Sequence, residues 1–126
     1  MSMNKKILVV DDDLDIIEPL ALILESKGYN VETITKGKLV YSKIDSFKPD
    51  LLLLDILMSG SDGREICRNL KKDKKTSTLV VVMMSAHPSA EKDSKEIGAD
   101  DFIAKPFETE DLVDIIEKNS TPQANN

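Results

Sequence analysis

Five short apolar runs, each followed by an amphipathic stretch, limit what this chain can fold into. They fall at Lys6–Val10, at residues 30–35, 50–54 and 79–84, and at Asp101–Ala104. Ile7-Leu8-Val9-Val10, Leu51-Leu52-Leu53-Leu54 and Val80-Val81-Val82-Met83-Met84 are apolar without alternation. Strands read this way when helices cover both faces of a parallel sheet. Regular alternation of such runs with amphipathic segments predicts an α/β fold with a parallel sheet.

The intervening stretches predict helices over residues 13–27, 37–46, from about 62, 89–97 and 109–118. In the first, Ile16, Leu20, Ile23 and Leu24 form the buried stripe, Gly28 is the C-terminal cap, and Pro19 removes one helical hydrogen bond. Leu14, Ile17 and Leu22 lie off that stripe. Two readings are open for them: a wide packed face, or a partner-docking surface near Leu14 and Ile17. The third helix carries Ile66, Cys67 and Leu70, and its lysine-rich end, Lys71 to Lys75, suits a helix C-terminus. The fifth has Thr109 as N-cap and Leu112, Val113, Ile115 and Ile116 as its apolar side. One domain is expected over residues 1–119, with residues 120–126 as a disordered tail or the start of a linker.

Composition excludes some classes. The net charge of −6 argues against direct nucleic-acid binding, which needs a basic surface. The single cysteine, Cys67, cannot form an internal disulfide. No apolar run approaches the ~18 residues that span a bilayer, and no stretch has the form of a signal peptide. A soluble, cytoplasmic domain without membrane contact is expected.

The chemistry gathers at the strand ends. Asp11-Asp12-Asp13 closes the first run and Asp55 the third. Open parallel sheets bind ligands outside the carboxyl ends of their strands, so these acids share one crevice. Crowded carboxylates repel, and a hard cation such as Mg²⁺ relieves them. Ser85, Lys105 and Asp62-Gly63 belong to the same edge.

Together, Ile7 through Asp13, Leu52 through Met58, Asp62-Gly63, Met84-Ser85-Ala86 and Gly98 through Phe107 resemble the response regulator receiver domain of two-component signalling, chemotaxis regulators included. The resemblance implies a flavodoxin-like three-layer sandwich with five helices and strand order 2-1-3-4-5. It implies that Asp55 accepts a phosphoryl group, a nucleophilic role open to carboxylates. Asp11 and Asp12 would hold Mg²⁺ with Asp55, and the backbone carbonyl of Leu57 would complete the protein ligands. Lys105 would pair with the carboxylate at rest and with the phosphoryl group afterwards, and the Lys105–Pro106 bond would be cis. Ser85 would bond a phosphoryl oxygen, and Phe102 would rotate inward as the switch. The phosphodonor would be a histidine kinase or a histidine phosphotransfer protein, and an unknown downstream protein would read the face of helix four, strand five and helix five. The domain would not be an enzyme beyond its own phosphorylation and dephosphorylation.

Ser59 stands where relatives usually carry proline, which predicts a more mobile loop over residues 58–61. Leu57 and His87 flank the site, Leu57 as a shield of the acyl phosphate against water and His87 as a rim residue. The last helix has lysine but no arginine, so a dimer zipped by arginine–acid pairs is not supported.

Two rival readings remain. One is a receiver-like interaction module that is never phosphorylated. The other is a haloacid-dehalogenase-type phosphatase with Asp11 as nucleophile, which lacks the further acid such enzymes need after the lysine. A calcium loop built on Asp11, Asp13 and Asp15 is ruled out by Ile16 and Leu22 at its glycine and glutamate positions.

Overall fold

The structure, a computed structural model, describes residues 5–120. Five parallel strands form its sheet: β1 (Lys6–Val10), β2 (Asn30–Ile34), β3 (Leu51–Asp55), β4 (Val80–Ser85) and β5 (Asp101–Ala104). Their order is β2-β1-β3-β4-β5, as expected. The helices are α1 (Leu14–Ser26), α2 (Val40–Phe47), α3 (Gly63–Lys72), α4 (Ala90–Glu96) and α5 (Thr109–Ser120). A single 3-10 turn, Gly37–Leu39, leads into α2.

The strand pleat sorts the core into two layers. Ile7, Val9, Leu51, Leu53, Val82 and Met84 face α1 and α5, meeting Leu20, Leu24, Leu112 and Ile116. Leu8, Val10, Leu52, Leu54, Val81 and Met83 face the other way, against Val40, Ile66, Cys67, Leu70 and Ala90 of α2, α3 and α4. Both faces of the central strands are therefore buried, which is why their sequences do not alternate.

Two expectations need correction, the exposure of Ile17 and the end of the last helix. Ile17 is only 3% exposed and belongs to the core with Leu20 and Leu24, while Ile16 and Ile23 are half-buried. Ile17 is thus no docking residue, and the exposed apolar residues of α1 are Leu14 and Leu22. As expected, α1 runs through Pro19. The loop after β3 contains a short ladder, in which Leu57–Met58 and Ser61–Asp62 pair antiparallel around a Ser59-Gly60 turn. Finally, α5 includes Asn119 and Ser120, and the expected tail at 121–126 lies outside the described residues.

Candidate functional site

Parallel β1 and β3 are neighbours in register, Val10 opposite Leu54, so Asp11 and Asp55 emerge side by side. Asp55 is the last residue of β3 and pairs with Met84 of β4. Asp11, Asp12 and Asp55 each offer one carboxylate oxygen, and the three oxygens lie within 4.8 Å of one another. Asp11 is fully buried and Asp55 is 5% exposed, while Asp12 is exposed.

Lys105, one residue past β5, brings the compensating charge. Its Nζ donates to Asp11 Oδ2 at 2.7 Å and lies 3.3 Å from Asp55 Oδ1. Its closer resting partner is therefore Asp11. The Lys105–Pro106 bond is cis. Burial pulls the ammonium pKa down, but the bonds to Asp11 and Asp55 outweigh it and hold Lys105 above its ordinary value. One cation cannot balance three acids. Burial first, and then the charge on Asp11, push the Asp55 carboxyl up from 3.8 to about 6 against the pull of Lys105.

The surrounding backbone fixes this geometry. Asp11 Oδ1 accepts from the Asp13 amide at 3.0 Å, and Asp13 caps α1 through the Asp15 amide. Asp12 Oδ2 accepts from the Ser59 amide at 2.8 Å. Gly63 opens α3 directly under the end of β3. A Cβ there would run into the carbonyl oxygen of Asp55 and sit 2.8 Å from Ile56 Cα, so only glycine lets the helix start so close.

Ser85 is buried at the end of β4, and its Oγ accepts from the His87 amide at 3.0 Å. Phe102 lies in β5 opposite Met83, half-buried against the layer that carries α4. Leu57 is 56% exposed in the first arm of the short ladder, two residues past Asp55. His87 is exposed, with Nδ1 2.9 Å from Ser89 Oγ. Cys67 is buried, and burial pushes its thiol up to about 11, which suits a packed and unreactive residue. Sequence reasoning missed the Ser59 amide. Its signal was Ser59-Gly60, a dipeptide that marks a turn.

A parallel sandwich with buried acids and a lysine at the carboxyl edge of its sheet defines a class of regulatory domain, and the comparisons agree. The response regulator receiver domain profile matches residues 7–117, and the chain belongs to that family. It is 39% identical over 115 residues to the phosphate regulon transcriptional regulatory protein PhoB of Pseudomonas aeruginosa, covering 88% of this chain and 49% of that protein. It is 38% identical over 105 residues to the alkaline phosphatase synthesis transcriptional regulatory protein PhoP of Bacillus subtilis, covering 83% and 44%. The chain spans about half the length of these curated relatives. Among solved structures, the signal receiver domain of a histidine kinase from Syntrophus aciditrophicus superposes with a TM-score of 0.83 at 31% identity, covering 97% of this chain and 98% of that one. A response regulator receiver from Bermanella marisrubri gives 0.87 at 29% identity, covering 94% and 100%. The chain is a receiver domain of two-component response regulators. Among the described residues no helix is long and apolar enough to cross a membrane.

Proposed function

We propose that Asp55 is the phosphoacceptor and that Asp11, Asp12 and Asp55, with the Leu57 carbonyl, hold Mg²⁺. One observation carries this reading: three carboxylates and a lysine from three separate segments converge on one edge of the sheet, an arrangement that packing alone does not require. All three side-chain donors are hard oxygens, the set Mg²⁺ prefers. When bound, Mg²⁺ neutralises charge on the phosphoryl oxygens. An Asp55 oxygen attacks phosphorus, the bond from phosphorus to the donor histidine nitrogen breaks, and that nitrogen keeps the electron pair. Lys105 steers a phosphoryl oxygen through its ammonium, and Ser85 leaves the His87 amide to donate its hydroxyl to another. Space opened by Ser85 admits Phe102, shifting the α4–β5–α5 face toward a downstream protein, a local charge change that biases a packed two-state element.

The phosphodonor is a histidine kinase or histidine phosphotransfer protein of the cytoplasm. Its docking surface is α1, where Ile16, Pro19 and Ile23 face Ala86 and Phe107 across a largely apolar groove of about 390 Å³ that reaches Lys105. Exposed Leu14, the first residue of α1, adds apolar surface to the same helix.

The test is intact mass after incubation with Mg²⁺ and acetyl phosphate, beside Asp55→Asn. One added phosphoryl group, lost in the variant and blocked by chelator, supports the reading. No gain, with no beryllofluoride binding either, leaves an interaction module. Gain that survives Asp55→Asn moves the nucleophile to Asp11.

A further inference from the structure

Asp12 is the exposed member of the acidic cluster. An exposed aspartate turns freely, and that freedom is lost on ligating a cation. Here the side chain is already held, because Oδ2 accepts from the Ser59 amide, 47 positions along the chain, at 2.8 Å. Among the described residues this is the one hydrogen bond to the Asp12 carboxylate. With one oxygen held, the other is left for a cation.

The donor is presented by a built element. Leu57 pairs with Asp62 and Met58 with Ser61, so Ser59 and Gly60 form a two-residue turn. Gly60 has φ +76 and Ser59 does not have a positive φ, the pattern of a turn with glycine at its second central position. Both ends of the ladder are anchored. The Gly63 amide donates to the Ile56 carbonyl at 2.8 Å. Gly37 lies so close to Ser61 that an added Cβ would come 2.5 Å from the Ser61 Cβ. The amide thus has a fixed place, tied to β3 at one end and to the turn before α2 at the other.

We propose that the main-chain amide of Ser59 is a positioning group that pre-sets Asp12 for the divalent cation. The inference rests on reading the acidic cluster as a cation site. Hydrogen bonds to ligating carboxylates typically govern metal affinity by ~10-fold or more. The group that matters is the N–H, so the Ser59 side chain is dispensable. Proline suits the first central position of such a turn, which makes Ser59→Pro a removal of the donor that the backbone tolerates.

The experiment is calorimetric titration of Mg²⁺ into wild type, Ser59→Ala and Ser59→Pro without phosphodonor. Unchanged affinity in Ser59→Ala with a loss of about tenfold in Ser59→Pro supports the proposal. Equal or tighter binding by Ser59→Pro overturns it, as does an equal loss in both variants. Wild type that binds no Mg²⁺ instead removes the cation site itself. Amide exchange of the metal-free protein gives a second reading without the proline. The Ser59 amide is expected to be protected in wild type and to exchange faster in Asp12→Ala, and an amide unprotected in wild type refutes the contact.

Discussion

Replacing Asp55 with asparagine should stabilise the metal-free protein, although it removes the proposed phosphoacceptor. The Asp55 carboxyl is raised from 3.8 to about 6, by burial first and by Asp11 next. A raised carboxyl keeps its proton in the folded chain at pH values where the unfolded chain has lost it. Its contribution to stability is therefore largest below 3.8, falls as pH rises toward 6, and is level above that. At ~1.4 kcal/mol per pH unit, the ionised group costs the fold about 3 kcal/mol at pH 7.5. Asparagine keeps the shape and carries no charge, and it loses only the longer of the two Lys105 contacts, since Asp11 keeps the shorter. The expected gain is ~1–3 kcal/mol at pH 7.5, and about a third of that at pH 4.5, where the wild-type carboxyl is protonated when folded. Urea denaturation in chelator at both pH values measures it. A variant no more stable than wild type at pH 7.5, or a gain of the same size at pH 4.5, refutes the electrostatic account. Mg²⁺ should narrow the difference by stabilising wild type, by ~2.7 kcal/mol at a hundredfold excess over its Kd.

Three further outcomes are expected. Gly63→Ala should cost about 1–3 kcal/mol by overpacking against the β3 backbone, and a denaturation midpoint equal to wild type counts against the close approach. Leu57→Asn should shorten the lifetime of the phosphorylated protein severalfold by admitting water, and a mass-spectrometric decay that is unchanged or slower sinks the shielding role. Leu14→Asp should slow phosphoryl transfer from the kinase but not from acetyl phosphate, with little loss of stability. Equal slowing with both donors excludes docking there. Ile17→Asp does not serve this test, because a charge at a buried site unfolds the chain.

Much of the fold was legible because hydrophobic strands without alternation leave few architectures. The acids and Lys105 could be brought together from sequence because all end or follow strands of one parallel sheet. The misplacement of Ile17 has a physical cause. Leu14, Ile16, Ile17, Leu20, Leu22, Ile23 and Leu24 wrap much of α1, so a period of 3.6 fits more than one phase. The Leu57–Asp62 ladder escaped notice because two-residue strands carry no periodicity. Residues Ser59, Gly60 and Ser61 read as loop, and what folds them is the contact of Gly37 with Ser61 and of Asp12 with the Ser59 amide, which no local pattern encodes. The αL residue that ends α2, Lys48, with φ 54, was equally hidden, because lysine is not a residue that announces such a conformation.

The bond between Lys105 and Asp11 joins residues 94 apart, so the two partners leave the ribosome far apart in time. Asp11 is made early, and Asp55 follows with its own charge. Until β5 takes its place at the sheet edge, no lysine stands between them, and the half-built sheet carries mutually repelling acids at its carboxyl end. The ion pair is therefore a signature of completion. A nascent or truncated chain that lacks the last strand has the proposed nucleophile and cation ligands but not the ammonium that balances them. On the role proposed for Lys105, competence to accept a phosphoryl group arrives only with the last strand of the sheet.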